Sequence, residues 1–162
     1  MNIQTLRGAL LFAVLLLVQV LVFNHIHLFN CATPLLYIYV VLLFPRDIPR
    51  WAALVSCFIM GFLVDMFSNT PGVSMASLTF LGLIQPFVLN LFMQHDSADD
   101  LQPSMRSLGF GRFFYYTVVM VLVYCILFFT LETFNFFNWI QWLESIAGSM
   151  IITVILILTL DN

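Results

Sequence analysis

The chain has 162 residues, of which 62% are hydrophobic and 8% charged, and its mean hydropathy is +1.06. Soluble domains carry roughly 25% charged residues, so a water-soluble globule is excluded for want of polar surface to cover it; the length suits about six membrane crossings of roughly 20 residues each. A formal charge of −3 and a pI near 5.3 also exclude nucleic acid as the natural partner, because that needs a basic patch.

Six apolar runs are predicted to be transmembrane helices, at about 8–23, 28–44, 51–67, 73–93, 113–131 and 139–160. They make an all-α, polytopic membrane protein with short loops, a single transmembrane domain over 1–162. The first run follows Arg7 in the manner of a signal peptide. No small-x-small cleavage site follows it and apolar runs recur to the C-terminus, so it is read as a retained span. The second run has a clean apolar core of only eleven residues, 34–44, the length of a re-entrant or buried segment.

The arginines decide for six crossings. The chain has no lysine, and Arg7, Arg46, Arg50, Arg106 and Arg112 all fall on one side if the second run crosses. The segments "NHIHLFN", "SNTPG" and "ETFNFFN" then face the other side without a basic residue. The positive-inside rule makes the arginine side, and with it both termini, cytoplasmic.

In the third run, Ala53, Cys57, Gly61 and Asp65 recur every fourth position and form a stripe of small side chains ending in a carboxylate. The fourth run carries Gly72, Ala76, Thr79, Gly82 and Pro86. Small residues let membrane helices approach closely, so the two stripes are expected to face each other across the turn at 68–72. Thr70 is the expected N-cap of the fourth helix, with Pro71 at its first position. Pro86 removes a helical hydrogen bond and is expected to kink its span.

Asp65 lies at the unfavourable end of its own helix dipole, but beside the free N–H groups that open the next helix. A charged Asp at mid-bilayer costs about 2.5–3.5 kcal/mol on insertion scales, and bonds from those N–H groups would offset most of it. Two readings stand: the carboxylate locks the hairpin turn, or it touches a ligand or partner.

The fifth and sixth runs add Glu132 and Glu144, both read as interfacial, and Trp139 and Trp142, which suit the headgroup level. The longest connection, 94–112, holds Asp96, Asp99 and Asp100 early and two arginines late, and is read as a solvated cytoplasmic loop. Of three isolated cysteines, Cys57 and Cys125 fall inside apolar runs and are read as packing residues, and Cys31 lies outside any paired motif. His25 and His27 alternate in a loop but lack the further ligands a structural metal wants. No GxSxG elbow, HExxH or glycine-rich phosphate loop occurs, and no histidine accompanies Ser56, Ser74, Ser77 or Ser149 inside an apolar run. The expectation is a protein that is not an enzyme and carries no cofactor.

The order "TPLLYIYVVLLFPRDIPR", then "GFLVDMFSNTPGVSMAS", then a proline-bearing span and a late acidic "LETF" resembles the MreD family of rod shape-determining membrane proteins. The residues that carry the resemblance are Gly61-x3-Asp65 followed by Gly72-x3-Ala76, with Pro34 opening the short second span. The resemblance implies a non-enzymatic subunit of the machinery that directs side-wall peptidoglycan synthesis in elongating bacteria. It implies a single-span MreC-like partner and, indirectly, an MreB-like filament and cell-wall synthases. It also implies a fold similar to the membrane substrate-binding subunits of energy-coupling-factor transporters. That likeness keeps a small-solute-binding subunit as the alternative, with Asp65, Asn69, Gln85 and Glu132 as the polar groups to line a pocket.

Overall fold

In a computed structural model the structure describes residues 3–21, 34–93, 102–134 and 138–162. His25, His27, Cys31, Asp96, Asp99 and Asp100 lie outside the described residues. Within them the fold is all-helical: α1 (Ile3–Leu21), α2 (Ile38–Leu42), α3 (Arg50–Ser68), α4 (Val73–Phe92), α5 (Met105–Leu108), α6 (Phe110–Thr133) and α7 (Trp139–Asp161).

Four helices, α3, α4, α6 and α7, are long and apolar enough to cross a membrane. The apolar part of α1, Leu6–Leu21, is shorter. These helices turn large apolar side chains outward: Val55, Phe62 and Met66 on α3, Leu83 and Leu91 on α4, Ile151 and Ile155 on α7 are all exposed. Water would penalise that much apolar surface. Lipid tails do not, which is why the outer faces can be as greasy as the core. The molecule is built as a membrane-embedded helical protein.

The second apolar run, read as a crossing at 28–44 with a core of re-entrant or buried length, is not a single long helix over its described part. From Pro34 onward it holds one helix of five residues, α2, and every side chain from Leu35 to Leu42 is buried. Pro34 and Pro45 bracket this stretch, and proline cannot donate to a helical ladder. The segment is therefore the filling of the bundle. It packs against α1, α4 and α6, while α6 lies between α4 and α7 and α3 packs most extensively on α4. The interior is completed by Phe113, Tyr116, Met120, Val121 and Tyr124 of α6, each fully buried.

A carboxylate ties one end of the bundle together. Asp161, at the end of α7, accepts from the Tyr39 hydroxyl at 3.0 Å and from the backbone N–H of Met105. The stretch before α6 is thereby joined to α7 and to the buried segment. The Ser104 and Ser107 side chains cap this short α5 reciprocally.

Candidate functional site: the capped hairpin and the braced segment

The α3–α4 hairpin turns through Asn69, at φ 56°, and Gly72, at φ +83°. Asn tolerates the left-handed region better than most side chains, and Gly enters it without steric cost. Gly72 is the residue that precedes α4, so Thr70 and Pro71 lie in the turn and not at the helix start expected for them. A glycine N-cap has no side chain to offer the free N–H groups of the first turn.

Asp65 supplies what Gly72 lacks. Its Oδ1 accepts from the Ser74 N–H at 2.9 Å, and its Oδ2 from the Met75 N–H at 3.0 Å. These are the second and third residues of α4, the positions an N-cap side chain ordinarily serves. The Thr70 hydroxyl donates a further bond to Oδ1 at 3.2 Å. Asp65 is 6% exposed, and burying a carboxylate is costly unless it is hydrogen-bonded. Three donors and the positive pole of α4 provide for it.

One turn earlier, Gly61 makes the closest helix approach. A Cβ built there would lie 2.5 Å from the Met75 Cα and 2.8 Å from the Ser74 carbonyl oxygen. A side chain at 61 would therefore push apart the two backbones that Asp65 joins. Gly82 is tight as well, with its Cβ position 2.6 Å from Cys57 Sγ. Cys57 and Cys125 are both buried free thiols.

The fourth-run stripe meets the third-run stripe at Gly82, which is buried against Cys57, and leaves it toward both ends. Ala76 is exposed, nothing lies within 4 Å of a Cβ at Gly72, and Pro86 is half-buried. The buried face of α4 runs through Ser74, Ser77, Leu78, Leu81, Gly82, Gln85 and Leu89. Ala76 follows Ser74 by two residues, about 200° round the helix, which carries it out of the bundle interior to the outer groove between α3 and α4. α4 continues across Pro86 to Phe92.

The second polar constellation surrounds the 34–44 segment. Gln19 of α1 donates to the Pro34 carbonyl at 3.0 Å and accepts from the Leu36 N–H at 2.9 Å. Thr153 of α7 accepts from the Leu35 N–H at 3.1 Å. At the other end Gln85 of α4 donates to the Phe44 carbonyl at 3.2 Å, and the Tyr116 hydroxyl donates to the Leu42 carbonyl at 3.4 Å. Between them the Tyr37 and Tyr124 hydroxyls share a hydrogen bond, with their rings edge to face at 5.8 Å. Non-helical backbone at membrane depth is tolerated where protein groups satisfy it, and Gln19, Thr153, Gln85 and Tyr116 are those groups here.

Sequence reasoning passed over Gln19, Thr153, Tyr37, Tyr116 and Tyr124. The available signal was a glutamine and a threonine inside otherwise apolar runs, since polar residues at membrane depth are expensive without a use. Of the four groups proposed to line a solute pocket, Asp65 and Gln85 are taken up by backbone contacts. Asn69 and Glu132 are exposed. The open groove between α3 and α4 is lined by apolar side chains and Thr79, whose hydroxyl is bonded to the Met75 carbonyl at 2.7 Å. Glu144 and Trp139 are exposed at the start of α7, where Trp139 and Trp142 meet edge to face at 6.2 Å.

Comparison with family models, with curated proteins and with solved structures found no match to this chain.

Proposed function

We propose that this chain is a non-enzymatic membrane subunit of the bacterial cell-elongation machinery, of the MreD kind. It would sit in the cytoplasmic membrane with six crossings and both termini inside. It helps hold an MreC-like single-span partner in register with the cytoskeletal filament and the cell-wall synthases. The observation that carries the reading is the hairpin. Two of the residues that carry the resemblance, Gly61 and Asp65, work as one unit, one setting the helix approach and the other capping the helix it approaches. A rigid hairpin with small loops suits a scaffold against which other membrane helices dock.

Support for the topology comes from the Asp161 contacts, which gather the end of α7, the stretch before α6 and Tyr39 at one end of the bundle. Arg106 and Arg112 lie within that neighbourhood in sequence, and Arg50 stacks over Phe87 near the end of α4. The solute-binding alternative loses support because Asp65 and Gln85 face backbone groups and not a cavity.

The experiment is co-purification from native membranes of the organism, combined with depletion. The expected result is recovery of a single-span protein with an extracytoplasmic domain, and rounding of rod-shaped cells on depletion. Recovery of a nucleotide-binding transporter module with a bound small solute, and unchanged cell shape, would replace this reading with the alternative.

A further inference from the structure

The outer surface of the hairpin carries a groove of about 420 Å³ between α3 and α4. Leu54 and Phe58 form one wall, and Ala76, Thr79, Phe80 and Leu83 the other. The volume falls within the roughly 300–1,000 Å³ of small-ligand sites, but the lining offers no free polar group to hold a polar solute. Its two walls lead to the same place. Arg50 precedes Leu54 and Phe58 at four-residue spacing on α3, and Phe87 follows Leu83 by four on α4, so both continue the groove's faces. There the Arg50 guanidinium sits over the Phe87 ring, 5.6 Å from its centroid.

We propose that this groove binds one acyl chain of an anionic phospholipid, with Arg50 receiving the headgroup phosphate. From Ala76 to Phe87 is eleven residues, about 16 Å at ~1.5 Å per residue. That is about half the roughly 30 Å hydrocarbon thickness, so the groove, lined as far as Leu83, and its continuation to Phe87 together are about one leaflet long. The neighbour of Arg50, Trp51, is 71% exposed, and exposed tryptophan favours the headgroup level. A cation at headgroup depth, held in place by an aromatic face at the mouth of a leaflet-long apolar channel, is complementary to an anionic lipid and to few other molecules. A partner helix would need no cation at that point. A zwitterionic lipid also offers a phosphate, but its headgroup cation offsets that charge, so a net-anionic lipid is the better counter-charge for Arg50. The inference needs only that the hairpin is embedded in a bilayer, and it does not rest on the cell-elongation reading.

The test uses the full chain in detergent, incubated with equimolar phosphatidylglycerol and phosphatidylcholine of matched acyl chains, with retained lipid counted by native mass spectrometry. One phosphatidylglycerol should be retained, preferred about fivefold, the effect of one arginine near a charged surface. Arg50→Gln should bring the ratio to about one. Arg106→Gln, on the separate α5, should leave it unchanged. Ala76→Phe, at an exposed position inside the groove, should reduce retention of both lipids. If Ala76→Phe does not fold, the Arg50→Gln ratio decides alone. Equal retention of both lipids by the unmodified chain marks ordinary surrounding lipid and overturns the proposal. So does an unchanged ratio in Arg50→Gln, or undiminished retention in folded Ala76→Phe.

Discussion

The α3–α4 turn and the 34–44 segment both bring unpaired backbone into apolar surroundings, and they are stabilised over very different distances. The turn is capped by a carboxylate 9 and 10 residues upstream of the N–H groups it serves. The segment is held by side chains 15, 17, 41, 74 and 118 residues away, drawn from four helices. The first arrangement can form as soon as two neighbouring helices meet, because its partners are local. The second requires α1, α4, α6 and α7 to be assembled around α2. The hairpin is thus a unit in itself, while the buried segment records the completeness of the whole bundle.

That contrast places the largest expected loss at Gln19→Leu. The substitution leaves the Pro34 carbonyl and the Leu36 N–H buried without partners, at about 1–3 kcal/mol each, so about 2–6 kcal/mol together. Thr153→Val removes one acceptor and should cost about half as much. Thermal denaturation in detergent, followed by loss of monodisperse elution, measures both. Gln19→Leu stability within about 0.5 kcal/mol of the unmodified chain would mean that the segment does not depend on α1. The distinction between the two regions would then disappear.

This difference in range also explains what could be read from the residues. The α3 stripe was legible because four-residue spacing places Cys57, Gly61 and Asp65 on one face, and all three are buried. The all-helical class and four of the spans were legible from length and apolar content, which lipid makes a direct requirement. The cap was misassigned to Thr70 because local rules look for a side chain at the N-cap, whereas here the side chain arrives from the preceding helix. The α4 stripe was legible at Gly82, which meets Cys57, but not at Ala76, because small residues alone do not say which side of a helix is covered. The short second run gave its length away but not its supports, since no local pattern announces a hydrogen bond between Leu35 and Thr153.

Within the hairpin, Asp65 should be the most sensitive position. Asp65→Leu orphans the Ser74 and Met75 N–H groups and should cost about 2–4 kcal/mol. Asp65→Asn keeps one oxygen acceptor and the shape, and should cost about 1 kcal/mol, because asparagine caps helices nearly as well as aspartate. Accumulation in membranes and thermal stability should therefore rank the unmodified chain above Asn, and Asn well above Leu. An Asn variant of normal stability that fails to recover the MreC-like partner would instead give the carboxylate a direct role in partner recognition.

The smallest effects separate two glycines that the sequence presents alike. At Gly61 a new Cβ would meet the Met75 backbone, and overpacking costs typically about 1–3 kcal/mol, so the loss should grow from Ala to Leu as the helices are pushed further apart. At Gly72 nothing lies within 4 Å, and the constraint is a φ of +83°. Ala and Leu have the same difficulty with that backbone angle, roughly 1–2 kcal/mol, so Gly72→Ala and Gly72→Leu should be destabilised equally. Gly72→Asn should be milder, because asparagine enters the left-handed region more readily. Stability measured over the four Ala and Leu variants gives the answer as a slope: steep at 61, flat at 72. A slope at 72 that is flat in the purified chain but steep for accumulation in native membranes would make the turn a contact with a partner as well as a bend.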